Sequence, residues 1–422
     1  MWNKQRWVEL GKDAAIVLLT LSAAWLLAMT PLVQDSGVGD LLAPQESFGV
    51  GGSAGEHTAA MLPVRLAVTG EGGRCGVQYD DERLKELFPP LGVLLGDALA
   101  SAGEPQAMAE EQWRKCVTGK SIYFDFGGEA PLAALERWFQ GMEQRSLEGC
   151  ARRLLLCAGE RDQVLLCWQD GQDGRFYSCS TALTQLLHLD PAVEGAAVNG
   201  AYFAFEDETL ARRLAPYTLI TEGEQAGTEY DASVPLTGEA EVLALLEALS
   251  FSGQSHAPVS GGEVYVDGGD RLVVNGSGVV TYRAAQREKY PVGEGVAAGT
   301  DGARALAEAA LGPLCGEARL YLISARQESE GEIYVRFGYL LNGSAVYLGE
   351  KGWAAEFRVR DGYITQFTLR LRSYAANDRH TLLLPVDKAA AMLSDLAREG
   401  RELTVRYQDG GGTSVSPAWV AQ

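Results

Sequence analysis

Histidine is scarce in this 422-residue chain, with four residues, and positive charge is outweighed, with 36 Lys and Arg against 56 Asp and Glu. His57, His188, His256 and His380 are scattered. No HExxH or HxxxH spacing puts two imidazoles on one helix face, so the sequence offers no metal site. A net formal charge of −20 disfavours nucleic acid and anionic lipid as partners. Cysteine is present in an odd number, seven, without CxxC or zinc-like spacing, which gives no disulfide framework. Long apolar runs are missing from everything beyond residue 33.

What is there begins with that first run. Residues 14–33 (AAIVLLTLSAAWLLAMTPLV) carry no charge, and about twenty residues rising about 1.5 Å each span a hydrocarbon core of roughly 30 Å. Lys4, Arg6 and Lys12 precede them, so residues 1–13 are expected in the cytoplasm and the rest of the chain outside it. The expectation is a single-pass protein of the cell membrane with an extracytoplasmic bulk. A cleaved signal peptide is the competing reading, since Ala23, Ala24 and Ala28 are small. Against it, the run exceeds a usual signal core and ends without A-x-A. Thr20, Ala24 and Ala28 recur at spacing four and line one helix face, where small side chains permit close approach by another membrane helix. The alternative is that alanine is simply common in apolar helices.

Beyond the anchor, 46% hydrophobic residues and 22% charged provide for packed cores rather than a disordered tail. The patterning predicts an α+β fold in several units: a flexible stalk over residues 34–60, a first domain over 61–225, a middle helix-plus-hairpins domain over 226–295 and a C-terminal α+β domain over 296–422. In the first, strands are expected at 63–69, 121–126 and 199–205, and helices at 107–117, 131–145 and 82–102, the last interrupted by Pro89 and Pro90. A polar loop at 221–231 marks the first boundary. The middle unit opens on a helix whose stripe is Val242, Leu245, Leu246 and Leu249, followed by hairpins turning at Asp267-Gly268-Gly269 and at 275–278. A Gly-rich linker over 291–300 leads to an Ala-rich helix capped by Asp301, then strands with a strong Asn342-Gly343 turn. A last helix over 387–399 places Ala389, Met392, Leu393 and Leu396 on one face.

The middle cysteines read as small buried hydrophobes. In a meander of strands 152–158, 163–169 and 175–179, Cys157 is expected opposite Val164, Cys167 opposite Leu154 and Cys179 opposite Val164. Cys157 and Cys179 are then two strands, or roughly 9.6 Å, apart, beyond disulfide reach.

Motifs that carry chemistry are weak. Gly51-Gly52-Ser53-Ala54-Gly55 matches the G-x-S-x-G elbow and His57 is near, but a stalk supplies neither the strand nor the helix that an elbow needs. Gly293, Gly295 and Gly299 are out of step with a dinucleotide fingerprint and lack a βαβ unit. The acidic runs 80–82 and 206–208 read as solvated helix or turn ends. No catalytic residue, cofactor or metal is therefore assigned.

The most interpretable surface is the hairpin over residues 353–372. A three-residue loop at Asp361-Gly362-Tyr363 would set Phe357 opposite Phe367, Ala355 opposite Leu369 and Trp353 opposite Leu371, making one apolar face, whereas a two-residue loop would mix the faces. The other face then carries Glu356 with Arg358, Arg360, Arg370 and Arg372. Four arginines in an acidic chain make a candidate docking face for an acidic partner. The alternative is a solvated face pairing with local carboxylates.

With these residues in view, the chain resembles the YycH and YycI family of Gram-positive bacteria. The resemblance lies in residues 337–347 (FGYLLNGSAVY), followed by Gly352-Trp353 and the hairpin. They are similar to the family's aromatic strand, Asn-Gly turn and next hairpin, a pattern also seen in PepSY-like domains. Residues 265–282 look like the family's preceding module, and the length is closer to YycH than to YycI. The resemblance implies a non-enzymatic accessory regulator without catalytic residues. Its implied partner is a cell-wall sensor histidine kinase of the WalK/YycG type, with a related accessory membrane protein as a candidate second partner. A PepSY-type exterior module that binds or inhibits a peptidase or a cell-envelope component is the alternative, and a wall hydrolase is the third.

Overall fold

The computed structural model describes residues 61–422 except 142–146, 222–225, 253–255, 260, 286–288, 330 and 396–399. The apolar run 14–33, with Thr20, Ala24 and Ala28, and the stalk with its G-x-S-x-G and His57 lie outside the described residues. The rest is a mixed α+β fold with seven α-helices among the described residues.

The first sheet is antiparallel throughout, in the order β2 (Gly73–Gln78), β1 (Arg65–Gly70), β4 (Ser121–Pro131), β5 (Cys150–Ala158), β6 (Gln163–Asp170), β7 (Phe176–Thr184) and β3 (Gln106–Met108). Both of its faces are buried. Leu66, Ile122, Phe124, Leu154 and Leu166 meet α1 (Asp81–Ala100) and α3 (Leu132–Gln140) on one side. Tyr123, Leu155, Cys157 and Cys167 meet Trp113 and Val117 of α2 (Glu110–Thr118) and Phe203, Tyr217 and Leu219 on the other.

Several expectations are corrected here. Helix α1 runs unbroken through Pro89 and Pro90, because both prolines and the carbonyl-bearing residues Lys85 and Glu86 one turn earlier are exposed, leaving the unmade bonds to water. The expected helix at 107–117 begins only at Glu110; Gln106 to Met108 are claimed as strand by β7. The expected loop at 221–231 contains β10 (Ala226–Ser233), which pairs with β20 (Ser373–Leu382). The strand expected at 199–205 shrinks to Tyr202–Phe203. Met392, expected on an apolar face, is 54% exposed.

The meander register also differs from expectation, by one residue between β5 and β6 and by two between β6 and β7. Cys157 faces Leu165 and Cys167 faces Leu155, because the turn closes as Gly159 N–H to Gln163 C=O with Arg161 and Asp162 both at positive φ, while Cys179 faces Leu166 in the separate β6–β7 pairing. Cys157 and Cys167 therefore share a face, their Sγ atoms 3.8 Å apart, while Cys179 joins the opposite core; all remain free thiols.

A second sheet runs β11 (His256–Val259), β12 (Gly262–Asp267), β13 (Asp270–Asn275), β14 (Val279–Arg283), β19 (Tyr363–Arg370), β18 (Ala355–Arg360), β16 (Glu332–Leu341) and β15 (Arg319–Ser329). Beyond the end of β18, β16 pairs with β17 (Ser344–Leu348), which continues through parallel β21 (Leu403–Asp409) to β23 (Pro417–Ala421). The pairing of β14 with β19 makes the segments expected as middle and C-terminal units one sheet. Over it lies α6 (Gly295–Leu311), whose first turns occupy the expected linker. Gly299 lies on the helix-to-sheet contact, where a Cβ would come 3.0 Å from Ile333 and 3.4 Å from Val359. Asp301 is inside α6, not its cap, and pairs with Arg304 and with Arg137 of α3.

Candidate docking face and the buried cluster behind it

The β18–β19 hairpin turns in two residues, Asp361 (φ 51°) and Gly362 (φ 80°), with Arg360 opposite Tyr363, where three were expected. A bulge at Thr365 inserts one residue between the Val359–Ile364 and Arg358–Gln366 pairs, and the Thr365 hydroxyl donates to the Arg358 carbonyl at 3.2 Å. Turn and bulge offset each other, so Phe357 still faces Phe367 and Ala355 still faces Leu369. Those rings pack with Tyr282 on the buried side, Tyr282 stacking on Phe367 at 4.8 Å between centroids. Trp353 lies outside β18 and is not paired with Leu371. Its ring carries the Arg370 guanidinium at 3.6 Å.

The four sequence-predicted arginines part company. Arg358 and Arg360 both pair with Glu332, Arg360 at 2.8 Å, and hydrogen bonding from Arg358 and then Arg360 holds the Glu332 carboxyl below the usual range. Arg370 lies on Trp353. Arg372 is buried, gripping Asp409 through Nε at 2.7 Å and Nη2 at 2.9 Å, with the Gly412 carbonyl accepting a further bond.

Pairing across the sheet brings other arginines to the Arg358 side. One transverse row reads Arg271, Arg283, Gln366, Arg358, Tyr334, Arg326 from β13 to β15, and the next contains Thr281, Thr368, Glu356, Arg336 and Ser324. Directly opposed residues share a face, and five strand spacings cover roughly 24 Å. Arg271 and Arg283 are exposed and have no carboxylate partner among the described residues. Arg271 and Arg283 face each other across the β13–β14 hairpin, and sequence reading missed their place beside Arg358 because only the β14–β19 pairing, between residues more than eighty apart, aligns the two hairpins.

Where the two sheets meet, β4 makes a wide bulge between Asp125 and Ala130, and Gly128 comes so near the Leu322 and Ile323 carbonyls that a Cβ would lie 2.1 Å from the first. A matching irregularity between Ala151 and Leu154 lets consecutive residues Arg152 and Arg153 reach one buried cluster. Arg152 grips Asp125 at 2.8 and 2.9 Å and reaches Glu402 at 2.8 Å. Arg65 bonds the same two carboxylates, and Arg153 meets Glu402 at 2.9 Å. Burial opposes ionisation of Glu402, but Arg152, Arg65 and Arg153 outweigh it and bring the carboxyl down to about 2; the same balance holds Asp125 well below the usual range. Two carboxylates kept ionised in this way make an ion lock, not an acid–base pair. The cluster ties β1, β4 and β5 to Glu402, which precedes β21, across more than 240 residues of sequence.

No protein-family model matches the sequence, and no curated protein does. Among solved structures the chain is similar to YycH from Bacillus subtilis, with a TM-score of 0.53 and 12% sequence identity over 87% of this chain and 94% of that one. An uncharacterized protein from Eubacterium rectale aligns with a TM-score of 0.32 and 10% identity over 48% of this chain and 78% of that one. The chain has a YycH-like fold.

Proposed function

We propose that this chain is a membrane-anchored, extracytoplasmic accessory regulator of a cell-wall sensor histidine kinase, acting by protein–protein contact and not by catalysis. The observation that carries the reading is the fold likeness to YycH along nearly the whole of both chains. The mechanism is a population shift, in which the regulator contacts one kinase state more favourably than the other. Two contact regions are proposed: the Thr20, Ala24 and Ala28 face in the membrane, and the arginine row with Arg358, Arg360 and Arg370 outside it. Arg372 contributes by holding the β19–β20 corner to Asp409, its guanidinium being buried.

Crosslinking and pull-down from membranes test the proposal. The kinase co-purifies with the wild-type chain, and replacing Thr20, Ala24 and Ala28 by leucine reduces recovery. Unchanged recovery in this variant counts against the membrane contact, and absence of the kinase from the wild-type pull-down overturns the regulator reading. The packing of α6 against β15, β16, β18 and β19 favours the PepSY-like exterior module as a second reading. It predicts capture of a peptidase or an envelope component in place of the kinase.

A further inference from the structure

We infer that the cavity at the seam between β4 and β15 binds a small oxyanion, a carboxylate or phosphate group held against Arg152. The cavity measures about 400 Å³, enough for such a group on a small organic body. Its walls come from the β4 bulge (Gly127, Gly128, Glu129), from Ser324, Arg326 and Glu328 of β15, and from Tyr334 and Arg336 of β16, with Arg152 among them. The bulge depends on both glycines: a Cβ at Gly128 would collide with the Leu322 and Ile323 carbonyls, and one at Gly127 with Val64.

Charge counting points to an anion. Behind the cavity, three guanidiniums (Arg65, Arg152, Arg153) share two carboxylates, Asp125 and Glu402, leaving one positive charge uncompensated in a buried place. An unpaired buried charge is costly, and a counter-ion relieves it. The cluster is also short of acceptors: Arg65 Nε and Arg153 Nε are buried with no hydrogen-bond partner among the described residues. The surplus reaches solvent through Arg152, whose side chain is 24% exposed against 7% for Arg65 and 12% for Arg153. Its Nε and Nη2 are taken by Asp125 and Glu402, which leaves Nη1 without a protein partner among the described residues.

The walls extend the argument. Arg326 pairs with Glu129 at 2.8 Å and Arg336 with Glu356 at 2.6 Å, both on the open side where a second acceptor has access. Glu129 offsets Arg326 and Glu356 offsets Arg336, so the charge that favours an anion is the one at Arg152, and Glu328 opposes it. The Ser324 hydroxyl adds a donor beside Arg336. Arginines grip planar or tetrahedral oxyanions through paired N–H donors, which selects these groups over chloride.

Calorimetric titration of the full-length chain in detergent micelles tests the site, with inorganic phosphate and acetate as separate probes against sodium chloride at matched ionic strength. Saturable one-to-one binding of phosphate or acetate, beyond any effect of chloride, is the expected result, and the arm that binds assigns the group. Arg336→Gln weakens it about tenfold, the loss of one charge-assisted hydrogen bond. Ser324→Glu abolishes it by placing a carboxylate in the cavity. Glu328→Gln strengthens it. Arg152→Gln also removes binding, but since it opens the ion lock, the three wall variants decide the matter on chains whose thermal transitions stay cooperative. Signals that match chloride, or that survive Ser324→Glu unchanged, overturn the site.

Discussion

Arg372 and Asp409 form a bidentate pair, Nε to Oδ2 at 2.7 Å and Nη2 to Oδ1 at 2.9 Å, with side chains 9% and 1% exposed. The Tyr374 hydroxyl donates to the same carboxylate at 2.8 Å. Breaking such a pair from one side strands the other charge, so Arg372→Leu or Asp409→Leu is expected to lower stability by about 3–5 kcal/mol in urea denaturation. Arg358→Ser, which removes a half-exposed pair with Glu332, is expected to lower it by less than about 1 kcal/mol. Equal effects would mean that Arg372 is not structural.

The ion lock gives an acid limb of defined sign. Glu402 sits at about 2 in the folded chain and near the usual carboxylate value, about 4.3, when unfolded. A depressed carboxylate stabilises the fold above its unfolded value and loses that contribution as pH falls through its folded value. Stability should therefore drop between pH about 4 and about 2, Glu402 accounting for about 3 kcal/mol. Glu402→Gln is expected to be less stable at pH 7 and to show a flatter acid limb, both readable in denaturation curves across pH.

Asn342 has two jobs. It holds φ 46° in the turn with Gly343, and its side-chain oxygen accepts from the Asp81 amide at 2.9 Å, at the start of α1. Asn342→Ala loses the left-handed preference and the helix contact together and should cost about 2 kcal/mol. Asn342→Asp keeps both features and should cost less. A loss no larger than about 0.5 kcal/mol, the usual size for a surface change, would show that neither role matters.

The thiol trio should react unequally. Hydrogen bonds from Cys157 and Cys167 lower Cys116, while hydrogen bonding with Cys116, together with burial, keeps Cys157 and Cys167 well above the usual thiol range. Cys116 is also half-buried where the other two are fully buried. Timed iodoacetamide labelling read by peptide mass spectrometry should modify Cys116 first, and at a lower pH than the others. Simultaneous labelling of all three would indicate a local opening that exposes the sheet.

The arginine row should be electrostatic in its effect. Arg271→Glu with Arg283→Glu is expected to leave the thermal midpoint within a few degrees of wild type, since both side chains are exposed, and to reduce kinase recovery in the pull-down. Recovery independent of these charges and of added salt would remove the row from the docking surface.

Local chemistry made much of this legible. The Asn342-Gly343 turn, the helix bearing Leu245, Leu246 and Leu249, and the pairing of Phe357 with Phe367 follow from period and turn residues. The Thr365 bulge does not, because a two-residue turn plus one extra residue yields the same facing pairs as a three-residue loop. Strand β10 was hidden for another reason: its residues, Ala-Gly-Thr-Glu-Tyr-Asp-Ala-Ser, are polar and small, and they become strand through hydrogen bonds to β20, about 150 residues away. Of the expected docking set, Arg358, Arg360 and Arg370 stay on the half-exposed face, while Arg372 turns inward because Asp409 of β21 is there to receive it.

The sequence alone settled composition, the acidic balance, the α+β character and most element positions, because each depends on residues within a few turns of one another. Tertiary structure decided which arginines share a face, which carboxylates are locked, and that β4 opens a cavity beside Arg152. Those outcomes depend on strand partners more than eighty residues apart, and no local periodicity encodes a partner at that distance.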